Sequence, residues 1–399
     1  GITGTSGKTT VSYAVRHIFQ ALNLNPGLIG TIEYSFGTTS YPAQRTTPDV
    51  ITNHKYLKEM VRHGAQACVM EVTSHALTQK RVAHIEYDIA VFTNLTHEHL
   101  DYHKTMNEYF ASKLELFASL VPQKESIKDA LPKVAIINAD SNYAERIIAE
   151  TRVDVLTYGI EKKAHLMGQN IRYTPQGTHF LATFEDEKAE FFWPLVGRFN
   201  VSNALAAIAV GLCLGLSLQE LAPILQSFKS APGRLEKVEN KRGLHIYVDY
   251  AHKMDALQNV LSTLQECKKD KGKLITVFGC GGDRDKEKRP MMAKVAEEFS
   301  DVVIITSDNP RSEKPETIVE EICSGFTRKT NHFIELDRKQ AIAKAIDMAT
   351  SDDLILIAGK GHETKQEFAH HIIDFDDRIV AQEYCSQPYC AQKFADCVT

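Results

Sequence analysis

Short apolar runs recur along this chain, bounded by Gly, Pro or polar residues, and longer stretches with helical spacing lie between them. The runs Ala67–Val72, Ile89–Leu95, Val134–Asn138, Ile246–Asp249, Leu274–Phe278, Val302–Thr306 and Leu354–Ala358 read as strands. Asp49–Arg62, Met106–Phe117, Asp255–Cys267 and Arg289–Phe299 read as helices. Short apolar strands alternating with helices imply a mainly parallel sheet covered on both faces. Residues 165–193 differ: Thr178–Phe184 and Ala189–Trp193 alternate as an antiparallel hairpin or extra sheet would. Asn200–Cys213 has the small-residue composition of a packed helix, and Ser230-Ala231-Pro232-Gly233 looks like a hinge. The expected fold is α/β. A phosphate-loop ATPase domain, with a mainly parallel sheet plus a small antiparallel one, is expected over residues 1–232. A Rossmann-like α/β domain is expected over 233–399.

A length of 399 residues fits two domains rather than one core. Hydrophobic and charged fractions of 43% and 24% are those of a soluble globular protein. The formal net charge of -5 argues against nucleic acid as the main partner. The densest basic stretch, Lys268 to Lys273, is broken by Asp270 and Gly272 and reads as a solvated loop. No apolar run approaches the roughly 18 residues of a membrane span, and nothing resembles a signal peptide. The eight cysteines form no C-x-x-C pair. Cys68, Cys213 and Cys323 fall in apolar periodic segments, as buried free thiols do, while Cys385, Cys390 and Cys397 match no zinc spacing. A reducing, cytoplasmic setting fits, with small-molecule substrates, no membrane or nucleic-acid partner, and a monomer as the expected state. The tail from Ser386 to Thr399 carries no readable function.

Chemistry enters with Gly4-Thr5-Ser6-Gly7-Lys8-Thr9-Thr10, followed by the helical stretch Val11 to Leu22. Glycines let backbone N–H groups turn toward phosphate oxygens, and the helix N-terminus adds its dipole. Lys8 can reach the β/γ-phosphates of ATP, and Thr9 can hold Mg²⁺. Ile2 stands where the first glycine of the common pattern belongs, so the motif alone also fits an ordinary Gly-rich turn opening a helix. Only Gly1-Ile2-Thr3 remain to supply a strand before the loop, which points to a fragment of a longer protein. Glu71 closes one predicted strand, and Glu98-His99-Leu100-Asp101 follows another. Ligands of open parallel sheets bind beyond such carboxyl ends, and hard oxygen ligands suit Mg²⁺.

Taken in order, these motifs resemble the Mur ligase family along nearly the whole chain. TGTSGKTT, EVTSHAL (Glu71 to Leu77), FTNLTHEHLDYH (Phe92 to His103) and LVGRFNVSNALAA (Leu195 to Ala207) come first. PGRLE (Pro232 to Glu236), VDYAH (Val248 to His252), GCGGDRDKEKRPMM (Gly279 to Met292), SDNPR (Ser307 to Arg311) and GKGHE (Gly359 to Glu363) follow. The resemblance implies an ATP-dependent ligase that forms a peptide bond on a muramoyl-peptide precursor of the bacterial cell wall. It places Lys8 at the phosphates, and Thr9 and Glu71 on one Mg²⁺. His99 would serve a second Mg²⁺ with a carbamylated Lys113, a residue that would otherwise read as a surface helix lysine. It assigns Asn200 and Asn203 to adenine, Asp249 to ribose and Arg234 to the γ-phosphate. Thr46, Thr47, Thr73, Gln79 and Arg81 match positions that hold the UDP-muramoyl-peptide.

There are departures from the family pattern. Thr73 replaces a serine, Lys253-Met254 stands where Thr-Pro is usual, and Arg45 stands where some relatives carry Asn. The resemblance also implies an upstream uridine-binding domain that this chain lacks, so the chain alone is expected to bind ATP yet ligate poorly.

Asp308-Asn309-Pro310-Arg311 is the most discriminating segment. Pro310 stiffens the turn, and Arg311 offers a planar fork suited to a carboxylate. Diaminopimelate differs from lysine by one extra carboxylate, and in the family this Arg accompanies diaminopimelate. Arg284, Gly359 and Glu363 match the remaining contacts, with Glu363 suited to the distal ammonium. The implied reaction is ATP-dependent addition of meso-diaminopimelate to UDP-N-acetylmuramoyl-L-alanyl-D-glutamate through an acyl phosphate. The rivals are a lysine-adding ligase, a folylpolyglutamate synthetase-like ligase, and a regulatory module that binds nucleotide without catalysis. Arg311 disfavours the first, DNPR with GKGHE the second, and retention of Glu71, His99 and Lys113 the third.

Overall fold

The computed structural model describes residues 1–122, 133–327 and 332–387. The chain forms two compact units, Gly1–Ala231 and Pro232–Thr399, parting inside the Ser230–Gly233 segment.

The first unit is built on a seven-stranded sheet. Its order is Ile2–Thr3, Ile89–Phe92, Val134–Asn138, Asp154–Gly159, Leu166–Thr174, Gly177–Phe184 and Glu187–Trp193. The first four pairings are parallel and the last two antiparallel, so the predicted hairpin extends the main sheet instead of standing apart from it. Every residue of Val134–Asn138 is buried, as a strand covered on both faces requires. Its side chains alternate between two cores. Val134 and Ile136 pack with Val11, Ile18 and Leu205, whereas Ala135 and Ile137 pack with Phe92, Tyr109 and Phe117. The helix Arg198–Cys213, rich in Ala, packs against the helix Lys8–Ala21 that follows the phosphate loop.

A second sheet in this unit has the order Thr39–Pro42, Glu33–Phe36, Gly27–Ile29, Cys68–Met70, antiparallel except for the last pair. Most of it escapes a periodicity reading because three- and four-residue strands are too short to show a period. The strand expected at Ala67–Val72 shortens to Cys68–Met70, and Glu71 pairs through a single bridge to Ile2. The helix at Asp49–Arg62 begins one residue later, because Asp49 is its cap and accepts from Thr52 N.

The second unit has a six-stranded sheet in the order Glu236–Lys237, His245–Asp249, Leu354–Ala358, Leu274–Phe278, Val302–Ile305, His332–Ile334. Only the first pair is antiparallel. The four central strands are adjacent and point the same way. The loops after Asp249, Ala358, Phe278 and Ile305 therefore gather at one edge, where ligands of open α/β sheets bind. Arg338 lies beneath this edge, fully buried. It forms a two-point ion pair with Asp377 and donates to Ser307 O and Ala358 O, tying two of the loop starts together.

No helix among the described residues is long and apolar enough to cross a membrane. Cys68, Cys213, Cys267, Cys280, Cys323 and Cys385 are free thiols. Cys390 and Cys397, in the segment whose function the sequence does not disclose, lie outside the described residues.

Candidate active site

The phosphate loop is held open by contacts that its glycines make possible. Gly4 (φ +152°) lies so close to Thr93 that a Cβ would fall 1.9 Å from the hydroxyl oxygen. Gly7 (φ +87°) caps the helix Lys8–Ala21 in the left-handed region, with the Asn203 side-chain oxygen 2.4 Å from where its Cβ would stand. Thr5 N donates to Asn94 O (3.0 Å), Ser6 N to Asn94 Oδ1 (2.9 Å), and Thr93 Oγ1 to Ser6 O (2.6 Å). Lys8 Nζ folds over the loop and donates to Gly4 O and Thr5 O, each at 2.8 Å. Asn203 donates to Asn200 Oδ1, and Asn200 to Val196 O, so both predicted adenine residues are buried at the foot of the loop.

Glu71 has no exposed surface. Its Oε2 accepts from Thr9 Oγ1 (3.0 Å) and Thr31 Oγ1 (2.9 Å), and Oε1 accepts from Thr31 N (2.9 Å). The sequence reading missed Thr31, which lies outside every quoted motif. It extends the network to Thr46 Oγ1 at 3.1 Å. A buried carboxylate beside two hydroxyls is a hard-oxygen set, which fits Mg²⁺. Among the described residues no three His, Cys, Asp or Glu side chains gather as a metal site, so a metal here would draw further ligands from hydroxyls and phosphate oxygens.

Lys113 is almost wholly buried on the helix Met106–Ala118, its Nζ donating to Gly4 O at 2.9 Å and lying 4.6 Å from the centre of the Tyr109 ring. Burial, and then the Lys8 charge, push its pKa well below the ordinary lysine value. The neutral amine is the form that takes up CO₂, so a carbamate fits this position. His99, at φ +58°, stands edge-on to His75 (5.0 Å) and Tyr109 (5.8 Å). Tyr109 thus sits between Lys113 and His99, and its hydroxyl meets Thr5 Oγ1 at 3.0 Å. It falls inside the predicted helix Met106–Phe117, but nothing in one sequence signals that role.

The predicted muramoyl-peptide residues continue outward from Glu71. Thr47 Oγ1 donates to Glu71 O (2.8 Å) and accepts from Thr73 N, while Thr73 caps the helix Ser74–Thr78. Arg81 donates to Thr47 O (3.1 Å) and Gln79 Oε1 (2.9 Å), and Gln79 to Tyr102 OH (3.1 Å). Thr9, Glu71, Thr46, Thr47, Thr73, Gln79 and Arg81 therefore belong to one hydrogen-bonded network, linked in part through Thr31.

In the second unit a cavity of about 590 Å³ is lined by Arg284, Asp308, Asn309, Arg311, Gly359 and Glu363, together with Tyr250, His252, Lys253 and Lys288. Pro310 does not line it. Arg311 has φ +50°; Nε pairs with Glu367 (3.0 Å) and Nη1 donates to Gly282 O (2.8 Å), which leaves the far edge of the fork for a ligand. Lys288 donates to His252 O, and burial lowers its pKa. Arg234 lies against the Tyr250 ring (5.1 Å). Asp249 is buried and accepts from Leu235 N and Ala251 N; burial raises its pKa against the pull of Arg234. Arg234 and Asp249 belong to this unit, and the phosphate loop to the other.

A family model described as Mur ligase middle domain matches residues 2–211, and one described as Mur ligase, glutamate ligase domain matches residues 233–361. A Chlamydia felis protein named UDP-N-acetylmuramoyl-L-alanyl-D-glutamate–2,6-diaminopimelate ligase is 46% identical over 387 residues, 97% of this chain and 77% of that protein. A Bacillus cereus protein of the same name is 44% identical over 383 residues, 96% and 77% of the respective lengths. A solved structure of a ligase so named superposes with a TM-score of 0.72 at 33% identity, covering 96% of this chain and 77% of that one. A Mycobacterium tuberculosis folylpolyglutamate synthase, complexed with ADP and AMPPCP, shares the fold. Its TM-score is 0.67 at 18% identity, covering 90% of this chain and 87% of that one.

Proposed function

Because the chain belongs to the Mur ligase family, we propose that it adds meso-diaminopimelate to UDP-N-acetylmuramoyl-L-alanyl-D-glutamate, consuming ATP in peptidoglycan precursor synthesis. The D-glutamyl γ-carboxylate attacks the γ-phosphorus of ATP and ADP departs. The diaminopimelate amine then attacks the acyl phosphate, phosphate leaves, and the amine gives up a proton. No protein nucleophile is needed; positioning and charge neutralisation carry the rate.

The residues have separable tasks. Lys8 and the loop N–H groups bind the phosphates of ATP. Thr9 and Glu71 would hold one Mg²⁺, with His99 and a carbamylated Lys113 assigned to a second. The ions would neutralise charge developing on the transferred phosphoryl group. Thr46, Thr47, Thr73, Gln79 and Arg81 are assigned to the muramoyl-peptide. Asn200, Asn203, Asp249 and Arg234 are assigned to ATP on the family pattern alone.

The observation that carries the identity of the amine is the cavity where Arg284 and Arg311 share the lining with Asp308 and Glu363. Diaminopimelate ends in an ammonium and a carboxylate at both termini, so a mixed-charge lining complements it. A substrate-omission assay tests the reading. Phosphate release should require ATP, the muramoyl-dipeptide and diaminopimelate together. Equal release with the dipeptide or the amine left out would overturn it.

A further inference from the structure

Lys360 is the central residue of Gly359-Lys360-Gly361, and its side chain is wholly buried. The turn that takes it inward depends on Gly359, at φ +115°, where a Cβ would stand 2.6 Å from Asp308 Oδ2. Nζ donates to Asn309 Oδ1 (3.0 Å), Glu363 Oε2 (3.2 Å) and Lys365 O (2.6 Å), so its three donors are all used. Asn309 Nδ2 donates to the same Glu363 oxygen at 2.9 Å, and Asn309 Oδ1 also accepts from Glu367 N at 3.1 Å. An ammonium, an amide and a carboxylate thus close a triangle behind the cavity lining, and two of its three members line the cavity.

Two consequences follow. With Oδ1 turned to the ammonium, the Asn309 amide has one orientation, and Glu363 is held through Oε2, leaving Oε1 for a ligand. The Glu363 charge is also already matched inside the protein. A ligand that adds net positive charge here meets a buried cation behind its counter-ion, whereas one that brings its own carboxylate does not. We propose that Lys360 is a positioning and specificity residue that orients Asn309 and Glu363 and penalises amines lacking a distal carboxylate, an inference that rests on the diaminopimelate reading.

The test compares kcat and KM for diaminopimelate and L-lysine in the wild-type protein, K360M, K360Q and K360R, with ATP as the second variable substrate. Gln keeps a donor for Asn309 and Lys365 O, so K360Q carries the test if K360M does not fold. Both neutral variants should lower the diaminopimelate-to-lysine ratio in kcat/KM by about tenfold, chiefly through KM, with KM for ATP changing by less than about twofold. K360R, which keeps the charge, should recover most of the ratio. An unchanged ratio in the neutral variants, or an equal rise in KM for ATP, overturns the role of Lys360. A wild-type protein that prefers lysine overturns the diaminopimelate reading itself.

Discussion

At the phosphate loop Glu71 is fully buried, and its carboxylate accepts from two hydroxyls and a backbone N–H of the first unit. In the second unit Glu363 is one-third exposed, is paired with an ammonium, and borders an open cavity with other charges of both signs. On the proposed reading, the first site holds one carboxylate in advance for a cation, whatever the acyl acceptor. The second distributes its charges across four strand ends, so it can read the shape and charge of a small molecule. The proposal thus gives activation and selection to different groups of residues, and substitutions should separate them too.

The largest effect is expected in the first unit. Glu71→Gln keeps the volume and removes the charge, and should lower kcat by about 10²–10³-fold with a modest change in KM for diaminopimelate. Steady-state rates check this; a variant with near wild-type kcat would break the comparison. Arg311→Ala should raise KM for diaminopimelate about ten- to a hundredfold while leaving KM for ATP nearly constant. Equal losses for both substrates would merge the two sites that the comparison separates.

A smaller effect concerns how the second site is supported. Arg289, fully buried, binds Glu313 at two points (2.9 Å each) and reaches Gly281 O, while Glu313 accepts from Asp283 N. The Arg289 hydrogen bonds hold the Glu313 carboxyl down to about 2. Its folded-state pKa lies below its unfolded value, so this stabilisation is present above about pH 4.5 and is lost as pH falls toward 2. The melting temperature of wild-type protein should therefore drop more steeply than that of Glu313→Gln across that window. Parallel curves would show that the clamp contributes nothing.

Much of this was legible in the chain, but unevenly. Gly4 to Thr10 are contiguous, and phosphate binding demands that local geometry, so the loop announces itself. The mixed-charge cavity was reachable because Asp308–Arg311 and Gly359–Glu363 each follow an apolar run, and parallel strands of one sheet, with Leu274–Phe278 between these two, bring such ends to one edge. Thr31 was not reachable: it follows a three-residue strand and acts only because the chain folds back onto Glu71. Lys360 was in plain view inside a quoted motif and Tyr109 inside a predicted helix, yet their roles depend on which way a buried side chain turns. The antiparallel hairpin was visible in its alternation, whereas its continuity with the main sheet depends on the pairing of Leu166–Thr174 with both neighbours.

The most direct test offers the protein equal concentrations of meso-diaminopimelate and L-lysine, with ATP and the muramoyl-dipeptide, and identifies the ligated product by mass. The account predicts the diaminopimelate adduct in large excess. A product mixture dominated by the lysine adduct would contradict it.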